Sequence, residues 1–112
     1  MMQANHAKRI GLIDEHQKRA ISGLEFVQGL VDGTLPLNPM AETLGYDIVD
    51  VCKGHVVVTA EAHEKHCNPF GTVHGGLAAT LLDTCMGLAI LSCSTRALRK
   101  QRLNSKFPSF DR

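Results

Sequence analysis

Asn68-Pro69-Phe70-Gly71-Thr72-Val73-His74-Gly75-Gly76-Leu77-Ala78-Ala79-Thr80-Leu81-Leu82-Asp83-Thr84-Cys85-Met86-Gly87 runs from a polar turn, through His-Gly-Gly, into an apolar helix. Leu88, Ile90 and Leu91 carry the pattern on to about Cys93, so the helix is apolar on nearly every side. A helix with no polar face is expected to be buried on most sides, as when a sheet wraps around it. Asp83, nine residues after His74, breaks the pattern, and a carboxylate in such a run needs a partner or a task. Leu77–Cys93 is 17 residues long with this acid near its middle, which is short for a membrane span and better suited to a core helix. Gly87 costs helix stability and points to a close contact there.

Upstream, local chemistry predicts the elements that should cover this helix. Met1–Asn5 is expected to fray and Ala7–Lys18 to form a weak helix. Ser22 with Glu25 three residues on has capping-box spacing, and Ile21, Leu24, Val27, Leu30 and Val31 follow with helical period. Gly33 stops that helix, and residues 34–39 form a proline-held linker. Met40–Leu44 reads as a helical turn closed by Gly45. Tyr46–Cys52 alternates as a half-buried strand, Lys53-Gly54 is a hairpin turn, and the β-branched His55–Ala62 is the return strand. His63–Pro69 reads as a polar loop and Gly71–His74 as a short extended piece. Beyond Cys93 neither period continues. Two strands and one fully apolar helix bury each other poorly, so the chain reads as a domain whose later strands are missing.

The 112 residues make one small domain with a thin stability margin, for which oligomerisation is a natural supplement. Hydrophobic content of 44% and charged content of 21% fit a soluble globular protein. A net charge of +1 gives no reason to expect a nucleic-acid partner. Cys52, Cys67, Cys85 and Cys93 form no CxxC pair and read as reduced thiols, which implies a cytoplasmic location. Met1–Arg19 mixes both charge signs without an apolar run, unlike a signal peptide. The charge is unevenly placed: residues 1–95 hold six Lys/Arg against ten Asp/Glu, and residues 96–112 hold six against one.

Several side chains carry candidate chemistry. Asp83 suits a general base or a nucleophile, because apolar surroundings disfavour the charged carboxylate and raise its basicity. The plainer reading is an acid facing a solvent-filled gap or pairing with Arg19. Gly75 and Gly76 would open the helix with unsatisfied N–H groups at its positive end, a site that can stabilise an oxyanion. Glycines at a helix start are also common without any such role. His74, taken alone, is more often a structural hydrogen-bonding residue, and Asn68 before Pro69 is a natural turn former. His63, His66, Cys67 and His74 fit no familiar zinc spacing, so no metal is expected. Gly-x-Gly-x-x-Gly, Walker and Gly-x-Ser-x-Gly motifs are absent, which leaves Ser/His/Asp catalysis unsupported.

Four segments together resemble the PaaI-like hotdog-fold acyl-CoA thioesterases. They are Ser22-Gly23-Leu24-Glu25-Phe26, Pro39-Met40-Ala41-Glu42-Thr43-Leu44-Gly45-Tyr46, Asn68 to Gly76, and Ala79 to Gly87. The resemblance spans about Ile21 to Cys93 in one register, and the spacing of Asn68, His74-Gly75-Gly76 and Asp83 is its specific part. It implies an α+β hotdog fold, a long central helix wrapped by an antiparallel sheet. Here the fold would be incomplete, with the N-terminal helix, first hairpin and central helix present and the later strands missing. The implied organisation is an extension at 1–20, a partial thioesterase domain at 21–93 and a non-family basic tail at 94–112.

The implied activity is hydrolysis of a small, often aromatic, acyl-CoA to free acid and CoA, as in phenylacetate degradation. By resemblance, Asp83 activates water or attacks the thioester, the Gly75 N–H holds the oxyanion, and Asn68 positions water or thioester. His74 supports the loop, while Gly76, Thr72 and Val73 lie along the substrate. The family builds its site between protomers, so a homodimer, paired again into a tetramer, is implied. No cofactor is expected, since coenzyme A is part of the substrate, and neither nucleic acid nor membrane is an expected partner. The competing expectation is an inactive truncated fragment, or a hotdog domain that binds acyl-CoA without turnover.

The basic tail has its own reading. Suitable synonymous codons for Lys100 to Arg112, read from the third base, translate as Thr-Thr-Leu-Glu-Phe-Lys-Val-Ser-Phe-Val-Arg-Pro. That run resembles a central family strand, so the expectation is a frameshift between Cys93 and Lys100. The competing reading is a genuine basic tail for CoA phosphates or RNA, which the lack of aromatic interleaving disfavours.

Overall fold

Local signals place most elements where the chain chemistry requires them. The computed structural model describes residues 8–95; the readings of Met1–Asn5 and of residues 96–112 lie outside them. A short helix α1 (Glu15–Ala20) precedes α2 (Gly23–Asp32). At the start of α2 the Glu25 N–H donates to the Ser22 hydroxyl at 3.1 Å, and the Ser22 N–H donates to the Glu25 carboxylate at 2.9 Å. Two helix-end donors are thus satisfied reciprocally. Gly33 ends α2 at φ 87°, a left-handed conformation that glycine adopts without penalty. Pro39 sits in the first turn of α3 (Pro39–Leu44), where its missing N–H costs nothing.

β1 (Tyr46–Cys52) and β2 (His55–Ala60) then pair as an antiparallel hairpin through Lys53-Gly54, with a register shift between Ile48 and Asp50. Tyr46 and Ile48 point into a core formed with Val27, Leu30, Leu35, Leu37, Ala41 and Val56. α4 (Gly75–Ser92) lies against β2 and α2. Leu81, Cys85, Leu88 and Ala89 form its inner face. The Gly54 N–H donates to the Ser92 hydroxyl at 2.8 Å, and the Cys85 thiol donates to the Val56 carbonyl at 3.1 Å. The result is α+β, a partial hotdog: a long helix and a two-stranded antiparallel sheet.

Three expectations need correction. First, the helix expected over Ala7–Lys18 does not form as a unit over its described residues, 8–18. Residues 8–13 are irregular, and Ile10 makes a parallel bridge with Leu37, because Lys8 is drawn into the interior by Asp47. Second, the loop at His63–Pro69 contains a 3₁₀ turn, Glu64–His66, whose His66 is buried. Its imidazole links the His63 N–H, at 2.9 Å, to the Leu44 carbonyl, at 2.8 Å.

Third, the described residues do not enclose α4. Only Leu77 and Ser92 are buried, while Leu82, Met86 and Ile90 are 60%, 60% and 51% exposed. These three recur every fourth residue and form one apolar stripe. The physical reason is width: among the described residues, two strands and α2 cover one side of the helix and leave the other open. Among the described residues α4 is also the one helix long and apolar enough to cross a membrane.

The crossing of α2 over the end of α4 depends on one glycine. The Gly23 N–H donates to the Ser94 carbonyl at 3.1 Å, and a Cβ at Gly23 would stand 1.7 Å from the Leu91 carbonyl oxygen. Backbone cannot yield as a flexible side chain does. Gly23→Ala is therefore expected to cost at least about 2 kcal/mol. Thermal melting should read this as a fall of roughly 10 °C.

Candidate active site

Asn68 builds the turn that delivers the helix start. Its carboxamide oxygen accepts the Phe70 N–H at 2.9 Å and the Thr72 N–H at 3.2 Å, and its amide group donates to the Thr72 hydroxyl at 2.9 Å. The backbone closes the same turn, with the Asn68 N–H donating to the Thr72 carbonyl at 2.8 Å. Gly71 takes φ 84°, and Val73 then makes an antiparallel bridge with Cys67. Half-buried Asn68 and exposed Thr72, Val73 and His74 are thereby held in one turn.

His74 is the N-cap of α4, and its Nδ1 accepts the Gly76 N–H at 2.8 Å. With Nδ1 accepting, the neutral ring carries its proton on Nε2. The two glycines therefore differ. Gly76 is committed to the cap, whereas the Gly75 N–H has no acceptor among the described residues and a Cβ there would meet open space. It stands exposed at the positive end of an 18-residue apolar helix.

Asp83 lies elsewhere. It is exposed on α4, in an open concavity and not enclosed by apolar neighbours among the described residues. No hydrogen bond or ion pair engages its carboxylate among the described residues, and Arg19 reaches Glu15 at 3.4 Å. Asp83 lines a cavity of about 800 Å³ and an adjoining one of about 450 Å³. Thr84, Asn38 and Tyr46 border both, and the Asn38 amide donates to the Tyr46 hydroxyl at 3.1 Å. None of Asn68, Thr72, Val73, His74, Gly75 and Gly76 lines either cavity.

One chain cannot unite the two halves. Eight residues of α-helix separate Gly75 from Asp83, a rise of about 12 Å. A carboxylate and an oxyanion donor acting on one carbonyl need to approach it within about 3 Å each. Each chain thus presents an N–H donor at one place and a carboxylate, on an open face, at another.

Comparison with known proteins completes the description. The profile of a domain of unknown function, DUF4442, matches residues 32–102. The chain belongs to the DUF4442 family, a family of hotdog-type thioesterases. Acyl-coenzyme A thioesterase 13 of Homo sapiens is 41% identical over 49 residues, 44% of this chain and 34% of that protein. The 1,4-dihydroxy-2-naphthoyl-CoA hydrolase of Listeria monocytogenes is 46% identical over 44 residues, 39% of this chain and 36% of that protein. The DUF4442 chain thus spans about a third of the length of these two curated relatives. No solved structure matches it.

Sequence reasoning missed two features beside Asp83. Asn38 and Tyr46 were read as linker and strand, yet together they border both cavities. The signal was a lone tyrosine at a strand start, whose hydroxyl needs a partner once buried. The other is Lys8, whose burial against Asp47 fixes the segment that forms the cavity's outer wall.

Proposed function

We propose that this chain hydrolyses acyl-CoA thioesters at a site assembled from two copies. Asp83 of one copy would face the Gly75 N–H and Asn68 of the other. The observation that carries this reading is the open Gly75 N–H at the start of a helix whose own Asp83 lies too far along it to act there. An antiparallel pairing of two α4 helices would cover the Leu82–Met86–Ile90 stripe and exchange the two halves. Two relatives named for acyl-CoA hydrolysis support the choice of substrate.

In this reading the Gly75 N–H donates to the thioester oxygen and stabilises the charge that develops as the carbonyl is attacked. Asp83 either takes the proton from an attacking water and passes it to the departing CoA sulfur, or attacks directly to expel CoA thiolate and form a mixed anhydride, which water then hydrolyses to the free acid, supplying the proton of the CoA thiol. Asn68, whose amide keeps one hydrogen unused in the turn, orients the water or the thioester. His74 acts through the backbone by holding Gly76 and aiming the helix start. Gly76, Thr72 and Val73 flank the bound thioester. Coenzyme A arrives with the substrate, so the reaction draws on no separate cofactor. A small acyl group, aromatic groups included, fits the expected chemistry.

Gly75→Pro tests the oxyanion assignment. Proline suits the first position of a helix and removes only the N–H in question. His74 already has the extended geometry, φ −63° and ψ 135°, that a following proline requires. Thiol release from a panel of acyl-CoAs should fall about 10²–10³-fold in kcat. Unchanged turnover by Gly75→Pro contradicts the assignment.

A further inference from the structure

Residues 67–76 carry the turn that delivers the start of α4, and none of them is buried. Phe70, at its tip, is 91% exposed. Apolar packing does not hold this turn, so its place in the domain depends on what flanks it. Two buried side chains do so. Leu77 lies on the helix side, at 8% exposure, and His66 on the loop side, at 5%.

His66 is tied in both directions. Its Nδ1 accepts the His63 N–H at 2.9 Å, so the neutral ring carries its proton on Nε2, which donates to the Leu44 carbonyl at 2.8 Å. Leu44 closes α3, where carbonyls lack partners within the helix. At the other end of α3, Asn38 meets the Tyr46 hydroxyl, and both residues border the cavities that Asp83 lines. The His66 carbonyl accepts the His74 N–H at 2.7 Å, and His74 in turn holds the Gly76 N–H. A continuous path runs from α3, through the ring and backbone of His66, to the residue before Gly75.

We infer that His66 is a positioning residue for the proposed reaction: its ring fixes the Gly75 N–H relative to the body of the domain, through Leu44 on one side and His74 on the other. The inference rests on the thioesterase reading. His66 itself is outside the proposed reacting groups and lines neither cavity. An oxyanion donor displaced by about 1 Å loses a contact that matters most in the transition state, so the ring acts on kcat more than on KM.

The test compares His66→Phe, His66→Gln and His66→Asn, with kcat for acyl-CoA hydrolysis counted per folded chain from circular dichroism. Phenylalanine keeps a ring and loses both bonds. Glutamine can donate to the Leu44 carbonyl, whereas the shorter asparagine restores only the local bond from the His63 N–H. His66→Phe should lower kcat about 10–100-fold with KM moved less than about twofold, and His66→Gln should regain at least about fivefold where His66→Asn does not. A kcat for His66→Phe within about threefold of wild type, a loss carried by KM, or an equal loss in all three variants overturns the inference. If His66→Phe does not fold, the other two decide: a more active His66→Gln supports the link to Leu44, and equal activities overturn it. If the wild-type chain releases no thiol from any acyl-CoA, the proposed activity fails separately, and amide hydrogen exchange of the folded variants decides the positioning role. Faster exchange at His74 and Gly76, with α2 and β2 unchanged and with His66→Gln the least affected, supports it. Unchanged exchange at His74, or a uniform rise through the domain, overturns it.

Discussion

Lys8→Met removes about 3–5 kcal/mol of stability, because it strands a buried carboxylate. The Lys8 and Asp47 side chains are only 7% and 6% exposed. Asp47 Oδ1 accepts from Lys8 and also from the Ile48 N–H at 2.9 Å, while Asp47 Oδ2 is buried with no partner. The ammonium is thus the counter-charge that makes the carboxylate tolerable there. Removing it also leaves the Leu30 and Ile48 carbonyls without a donor that they now have. Against a total of about 5–15 kcal/mol for an ordinary domain, the loss brings the chain close to unfolding. Lys8→Met combined with Asp47→Leu should recover most of it, since an apolar pair of similar volume replaces a buried ion pair at little cost. Urea denaturation of the single and double variants checks both statements. A single variant within about 1 kcal/mol of wild type contradicts the account of the pair.

Asp83→Asn has the opposite profile. The carboxylate is exposed and free of hydrogen bonds among the described residues, so its replacement should leave stability within about 0.5 kcal/mol. Turnover, by contrast, should fall about 10²–10⁴-fold, the usual contribution of a positioned base. The asparagine keeps the shape and loses the ability to take a proton or to attack. Thiol release and thermal melting on one preparation separate the two effects. An active Asp83→Asn variant removes Asp83 from the chemistry.

Elements specified by neighbouring residues were legible in the sequence. The Ser22–Glu25 box and the Lys53-Gly54 turn each rest on contacts within a few residues, and each appears at the expected place; the strand Tyr46–Cys52 also forms there, but its alternation fails at the start, where Asp47 is buried along with Tyr46 and Ile48. The long helix from Gly75 was equally plain, and the spacing of Asn68, His74-Gly75-Gly76 and Asp83 carried the family resemblance. Lys8–Asp47 was not legible, because a pair 39 residues apart leaves no periodic trace. The exposure of Asp83 was misread for a related reason. An apolar pattern on all sides of α4 says that every side wants cover, but not which chain supplies it. The buried His66 hid in a polar stretch, since a histidine satisfied by two backbone groups looks like any loop residue until its partners are placed.

The shared site has a direct test in the mixing of two inactive chains. Asp83→Asn keeps the Gly75 donor, and Gly75→Pro keeps the carboxylate. Neither alone should turn over an acyl-CoA that the wild-type chain hydrolyses. When equal amounts exchange subunits, half of the dimers carry one intact site of two, so about a quarter of wild-type activity should return. A mixture that stays as inactive as its components, while sedimentation shows that the two chains have exchanged, contradicts a site built between copies.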